Sequence, residues 1–439
     1  MLSWEEAKEL IQIDEISKLL KNIIRIPSIG ARESDVAYEI INVLEAEDIH
    51  DFELIESEEG RGNLIIDING KRGKGFNLLL LGHSDVVPPG NNWSIDPFSG
   101  IEKDGYIYGR GALDNKSQIA VYTYLAVLLS RINYSFRGNI RIIIAADEEI
   151  QSKNHGIRFL VREHPRIFKH IHGAVGELGG LIKFRGNKGQ AVIIGEKGTV
   201  SYKVVCRGNA GHTGIIAEDK YSPLRIGSEF VLRLPSKIFF ISKTFKDVLE
   251  ETFGWKIKLL MNRFFINKLS RNRGDSFSRY LVALSHIILS KTMIRAGDAH
   301  NVLPDYMEIT VNARIFPEQD DKWVERLLKT VLSQIATDSY ELTLQTYVPA
   351  TISPTNTLLF KKITDTIKQI GYNPIPTIQP GSSDSSWLRS LGIPTYHFFI
   401  TSKEIEIDRI HGADERIWKQ DLMNALEGYY RLIEALQKA

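Results

Sequence analysis

The chain has a single cysteine, Cys206, among its 439 residues. A lone thiol excludes an intramolecular disulfide framework and fits a reducing compartment. Neither sign of charge is in excess, with 55 Lys and Arg against 54 Asp and Glu for a net +1. That balance removes any general electrostatic argument for nucleic acid or an anionic membrane as partner. No uninterrupted apolar run reaches bilayer-spanning length. The opening stretch, MLSWEEAKELIQIDEISKLL, is amphipathic and acidic, without the basic flank and apolar centre of a secretory signal. Internal repeats and low-complexity segments are also lacking. These absences predict a cytoplasmic protein with no nucleic-acid partner and no stable membrane anchoring. The length exceeds that of a usual single core and predicts two domains.

What is present begins with FNLLLLGHSDVVPPGNNWSIDPFSGIEKDGYIYGRGALDNKS, residues 76–117. Leu78 to Leu81 has the length and composition of a buried strand, which would deliver His83 and Asp85 just past its end. Asp114 follows the Gly109 and Gly111 turn and precedes a helical segment. Helical spacing over 5–24 and 33–47, strand-like runs at 51–56, 63–68 and 137–147, and a further run ending at Glu177 predict strands alternating with helices. That order implies an α/β domain whose mostly parallel sheet has helices on both faces and its chemistry at the carboxyl ends of the strands. Residues 199–349 change pattern. A strand (200–206), a helix (222–234), a strand pair around 301–316, a helix (321–335) and a strand (341–347) predict an inserted α+β, ferredoxin-like domain. The first domain thus spans 1–198 and resumes over 350–439. Within the insert, residues 236–295 carry twelve basic and four acidic side chains, interleaved with Trp255, Leu259, Phe264 and Phe265. This stretch reads as a solvated helical face or an oligomer contact.

Five candidate ligands fall at predicted strand ends of the first domain: His83, Asp114, Glu149, Glu177 and His411. Two imidazoles and three carboxylates suit zinc, cobalt or manganese, and suffice for two divalent ions sharing one carboxylate. Asp85 is placed to accept a hydrogen bond from the ring nitrogen of His83 that does not bind metal. Glu148, beside a ligand without being needed as one, is the natural general base. Taken one at a time, a strand-end histidine is more often structural and an Asp-Glu-Glu run more often solvated. Convergence on one domain favours the site. His155, His164, His170 and His172 lack carboxylates at such spacing and read as structural.

The segments GHSDVVPPGNNWSIDPFSG, GRGALDNK, AADEE, GEKG, AGHTG, NVLPDYMEITVNARIFP, GSSD and IHGADERI occur in the order found in the M20 metallopeptidases, which this chain resembles over nearly its whole length. The resemblance implies that His83, Asp114 and Glu177 hold one metal and Asp114, Glu149 and His411 the other, with Asp114 bridging. Glu148 would take a proton from the attacking water and pass it to the leaving amine. His212 in AGHTG would stabilise the oxyanion, often across a dimer interface formed by the inserted lid domain. Asn301 and Arg314 would contact substrate, and Gly381, Ser382 and Ser383 would line its carboxylate end. Where many relatives read Glu-Pro, this chain has Glu177-Leu178-Gly179-Gly180.

The activity so implied is hydrolysis of an amide or peptide bond next to a free carboxylate, by a carboxypeptidase, dipeptidase or aminoacylase acting as a homodimer on a small N-acyl amino acid or short peptide. The alternative is a biosynthetic deacylase for N-succinyl-diaminopimelate or N-acetyl-ornithine. A non-catalytic binding protein on the same fold is a different class, against which the full set of acids and imidazoles argues.

Overall fold

The computed structural model describes residues 2–149, 155–184, 187–217, 221–254, 262–271, 276–335 and 339–437. Two compact units divide the chain. The first comprises 1–194, 353–377 and 383–439, and the second 195–352 with 378–382.

In the first unit Leu78–His83 is a central strand, buried along its whole length. It pairs in parallel with Asn139–Ala145 on one side and Gly173–Gly176 on the other, and Gly173–Gly176 pairs in parallel with Thr395–His397. The flanks are antiparallel. Gly62–Asn69 and then Phe52–Glu56 extend the sheet beyond Asn139–Ala145, and Asn187–Glu196 extends it beyond Thr395–His397. Successive residues of a strand point to opposite faces, so a fully apolar strand needs cover on both. Leu79 and Leu81 join a core with Ile143, Ile157, Leu160 and Leu388, the last three from helices Ile157–Glu163 and Ser385–Ser390. On the other face Gly82 meets helix Lys116–Arg131, where a Cβ would overlap Asn115 and Ile119. That helix is buried from Lys116 to Leu129, which explains an apolar composition without a polar stripe.

The second unit carries a five-stranded antiparallel sheet in the order Lys237–Phe239, His286–Ala296, Tyr306–Ile315, Gly198–Arg207, Tyr340–Val348. Leaving out the short edge strand and adding helices Pro223–Arg233 and Asp321–Ser333 gives βαββαβ connectivity with spatial order 4-1-3-2, the ferredoxin-like arrangement. Local sequence sets both helix starts. Pro223 occupies a first-turn position where its missing N–H costs nothing, and the Asp320 side chain accepts the Trp323 N–H at 2.7 Å.

The basic stretch 236–295 is partly helical, with Lys243–Phe253, Arg263–Arg271 and Ser276–Ala283. Its last ten residues, however, belong to strand His286–Ala296 of the sheet rather than to a helical face. Trp255 and Leu259 lie outside the described residues. Among the described residues no helix is long and apolar enough to cross a membrane.

Candidate metal centre

The parallel strands end at a common edge, and the polar side chains follow them. His83 is the last residue of its strand, Glu177 comes directly after Gly173–Gly176, and Glu148 and Glu149 follow Asn139–Ala145. Asp114 and His411, expected at strand ends, arrive instead on loops before helix Lys116–Arg131 and before strand Arg416–Trp418. Two groups of side chains able to hold a metal ion result, His83 with Asp114 and Glu177, and Asp114 with Glu149 and His411, each offering ligand atoms within 4.8 Å of one another. Asp114 belongs to both.

In the first group His83 Nε2 lies 3.1 Å from Asp114 Oδ1 and 3.0 Å from Glu177 Oε2. In the second, His411 Nε2 is 2.9 Å from Glu149 Oε2 and 3.4 Å from Asp114 Oδ2. The two imidazoles differ in exposure, with the His83 side chain 1% and the His411 side chain 50% accessible. The second group therefore opens towards solvent.

Electrostatics fit a divalent cation here. Burial first, then the charge of Glu177, pushes Glu148 well above the usual carboxylate range. Burial and the neighbouring Asp114 push Glu149 up to about 7. Hydrogen bonds donated by its ring to Asp114 and Glu149 raise His411 to about 10, and Glu177, Asp114 and Asp85 raise His83 well above its ordinary value although burial alone would lower it. Closely packed buried acids that retain protons are the environment that a doubly charged ion relieves. The donors are oxygen and imidazole nitrogen only, a set that suits zinc and its neighbours.

The supports of these side chains explain their placement. Asp85 is wholly buried, and its carboxylate accepts the backbone N–H of Glu148 and of Glu149, each at 3.0 Å. Its main-chain carbonyl is 3.1 Å from His83 Nδ1, whereas the carboxylate is 3.5 Å away. The side chain thus serves mainly the Glu148–Glu149 turn, and the carbonyl is the nearer partner of the ring. Arg61, 3.0 Å from Glu33 and 2.9 Å from Asp147, secures the start of the same turn. Burial, with Asp85 next, raises Glu33 to about 7.

Gln118 clamps Glu177 from both sides, donating to the Gly176 carbonyl at 2.8 Å and accepting the Leu178 N–H at 2.9 Å. Leu178 has φ 60°, so the Glu-Leu-Gly-Gly sequence makes a left-handed turn that this side chain stabilises. Gly176 leaves room for the Ser385 hydroxyl, which a Cβ would overlap. Arg61, Gln118, Arg110 and Glu415 carry no metal-ligand spacing. Their only sequence signal is that the last two lie inside the segments GRGALDNK and IHGADERI.

The remaining candidates fall elsewhere. Ser383 is buried in the first unit and its Oγ accepts the Ser385 N–H at 3.2 Å. The other five are in the second unit. His212 is exposed on a two-stranded ribbon paired with Val302, and the Asn301 carbonyl accepts the Thr213 N–H at 3.2 Å, so His212 and Asn301 share one ribbon. Arg314 Nη1 donates to the hydroxyls of Thr199 and Ser382, and Gly381 adjoins Ser382. Outside both groups, His155 is held by the Ser57 hydroxyl at 2.8 Å and His172 accepts the Asn77 N–H at 2.8 Å.

Comparison with known proteins sets this geometry in a family. The sequence pattern of peptidase family M20/M25/M40 matches residues 79–435, most of the chain. The chain belongs to that family. Among relatives of this M20 protein, succinyl-diaminopimelate desuccinylase of Wolinella succinogenes is 26% identical over 405 residues, covering 92% of this chain and 94% of the relative. The N-fatty-acyl-amino acid synthase/hydrolase of Xenopus tropicalis is 27% identical over 459 residues, covering 99% and 87%. Among solved structures, the M20 metallo-carboxypeptidase Sso-CP2 of Sulfolobus solfataricus shares the fold with a TM-score of 0.74 at 17% identity, covering 97% of this chain and 100% of that one. The dipeptidase Dug1p of Saccharomyces cerevisiae does so with a TM-score of 0.74 at 15% identity, covering 99% and 98%. The M20 chain therefore has a dinuclear metal-binding site of the kind found in the metallohydrolases of its family.

Proposed function

We propose that this M20 protein hydrolyses an amide or peptide bond adjacent to a free carboxylate, as an aminoacylase, carboxypeptidase or dipeptidase. The observation that carries the reading is the pair of donor groups sharing Asp114, with the buried Glu148 alongside. His83, Asp114 and Glu177 would hold one ion and Asp114, Glu149 and His411 the other, zinc by the donor chemistry, with cobalt or manganese as substitutes. When bound, the ions supply Lewis acidity towards the substrate carbonyl and the attacking water.

The protein's own side chains do the rest. Glu148, whose surroundings favour holding a proton, takes one from the attacking water and delivers it to the leaving amine nitrogen. Asp85 keeps Glu148 and Glu149 aimed through their backbone N–H groups. His212 donates to the oxyanion, Asn301 and Arg314 bind the substrate, and Arg314 offers a fork for its carboxylate. Gly381, Ser382 and Ser383 line the carboxylate end. The enzyme works as a homodimer through the inserted domain, in the cytoplasm, as the lone buried Cys206 suits.

The N-fatty-acyl-amino acid hydrolase relative favours the N-acyl amino acid arm of this reading. A second reading, a biosynthetic deacylase, draws on the desuccinylase relative. Turnover of zinc-loaded protein with N-acyl amino acids, dipeptides and N-succinyl-diaminopimelate tests both. Activity on the first two classes is expected, and exclusive turnover of the last would replace the first reading with the second.

A further inference from the structure

Asp114 and His411 reach the centre on two loops far apart in sequence, which adjoin the paired antiparallel strands Tyr106–Tyr108 and Arg416–Trp418. Beyond that pairing, one buried ion pair ties the loops to each other. Arg110 and Glu415 are each 1% exposed at the side chain and 2.6 Å apart. Glu415 is used fully. One carboxylate oxygen accepts the N–H of Leu113 at 2.8 Å and of Asp114 at 2.9 Å, and the other accepts the N–H of Gly111 at 3.1 Å together with Arg110 Nη1. Four donors on a single carboxylate shape the whole turn that presents Asp114.

Arg110 closes the arrangement from the other side. Its Nη2 donates to the carbonyl of His411 at 3.1 Å and to that of Pro89 at 3.2 Å. His411 has φ 60°, a left-handed conformation that a non-glycine residue holds only when its surroundings over-determine it. The adjoining carbonyls of Ala413 and Asp414 accept from Arg409, each at 3.2 Å, and Gly109 N–H donates to the Glu415 carbonyl at 2.9 Å. The two loops are therefore laced together, and the Arg110–Glu415 pair is the part that reaches both ligands.

We infer that the Arg110–Glu415 pair is a positioning device for the more exposed group, Asp114, Glu149 and His411, fixing the separation of Asp114 from His411 and thereby the affinity for the ion held there. This rests on the proposed metal centre. The first group is less dependent on the pair, because His83 and Glu177 are set by strand ends and by Gln118. Groups that orient a ligand without touching the metal commonly change affinity by about 10- to 100-fold when altered.

The test uses the full-length protein, zinc and a competing chelator of known affinity. Arg110→Lys keeps a positive charge beside Glu415 but cannot span both Glu415 and the His411 carbonyl. Glu415→Gln keeps the shape and turns one acceptor into a donor facing Gly111 N–H and Arg110. The wild type is expected to take up two zinc ions. Arg110→Lys is expected to weaken one ion, that of the more exposed group, about 10- to 100-fold while leaving the other within about threefold. In the metal-free protein the unfolding midpoint of Arg110→Lys should stay near that of the wild type, and its rise on adding zinc should shrink, since the rise measures binding to the folded state. Glu415→Gln should act in the same direction, and if it does not fold, Arg110→Lys decides alone. Equal weakening of both ions, or a lower metal-free midpoint with unchanged zinc affinities, overturns the positioning role and leaves a purely structural pair. Failure of the wild type to bind two ions overturns the metal centre itself, a result distinct from a two-zinc wild type whose variants bind as tightly.

Discussion

Asparagine at position 85 separates two jobs that one residue holds. The Asp85 carboxylate accepts two backbone N–H groups, from Glu148 and Glu149, while its main-chain carbonyl faces His83 Nδ1. Asp85→Asn leaves the carbonyl in place and offers the turn one acceptor and one donor. One N–H keeps a partner, and the other meets an amide NH2. A buried N–H left unpaired costs about 1–3 kcal/mol, and the surviving bond loses its charge assistance. Amide hydrogen exchange at Glu148 and Glu149 in the metal-free protein should therefore quicken by about 5- to 150-fold, with little change at residues remote from the turn. Turnover should fall by roughly a hundredfold, the usual cost of ångström-scale misplacement of a catalytic group. Zinc at His83, Asp114 and Glu177 should bind nearly as before. Unchanged exchange at the turn together with weaker zinc there would show that the carboxylate, at 3.5 Å from the ring, is the true orienter of His83, and the reasoning would fail.

Glu148→Gln is expected to keep both zinc ions, measured by elemental analysis after dialysis, and to lose about 10²- to 10⁴-fold in kcat; wild-type turnover would remove Glu148 from the proton-transfer role. His212→Ala should lower kcat more than it raises KM, and a pure rise in KM would contradict the oxyanion role. In the metal-free protein His411 is raised to about 10 by Asp114 and Glu149, above its ordinary value of 6.5. The stabilisation from protonated His411 is accordingly complete below about 6.5 and lost as the pH climbs through 10. Because metal must displace that proton, zinc affinity at the more exposed group should rise from pH 6.5 to 8.5 with proton release, and calorimetry in buffers of different ionisation enthalpy showing no proton exchange would contradict this.

The parts legible in the sequence are those where burial or chemistry writes a local pattern. Leu78 to Leu81 reads as a strand because the sheet is covered on both faces, and His83, Glu149 and Glu177 stand out because strands of a parallel sheet end on one side. Strand His286–Ala296 did not stand out. Its register shifts between Lys291 and Met293, and Met293 and Ile294 are exposed, so the alternation that marks a half-buried strand is broken midway. Gln118 and Glu415 were hidden for another reason. The bonds by which they shape the ligand turns go to main-chain atoms of Gly176, Leu178, Leu113 and Asp114, and a contact with a distant backbone leaves no periodicity or spacing to read. Asp85 shows a mixed case: its place next to His83 was visible, but its carboxylate's larger commitment to residues 148 and 149 depends on two strands lying side by side.

The donors enter the chain in the order 83, 114, 149, 177 and, only after the whole inserted unit, 411. A polypeptide made from its N-terminus thus has every side chain of one group long before it has the last of the other, and Glu415, which shapes the Asp114 turn, comes later still. The second donor group is thus complete only after the inserted unit has been made, whereas the first is complete before it.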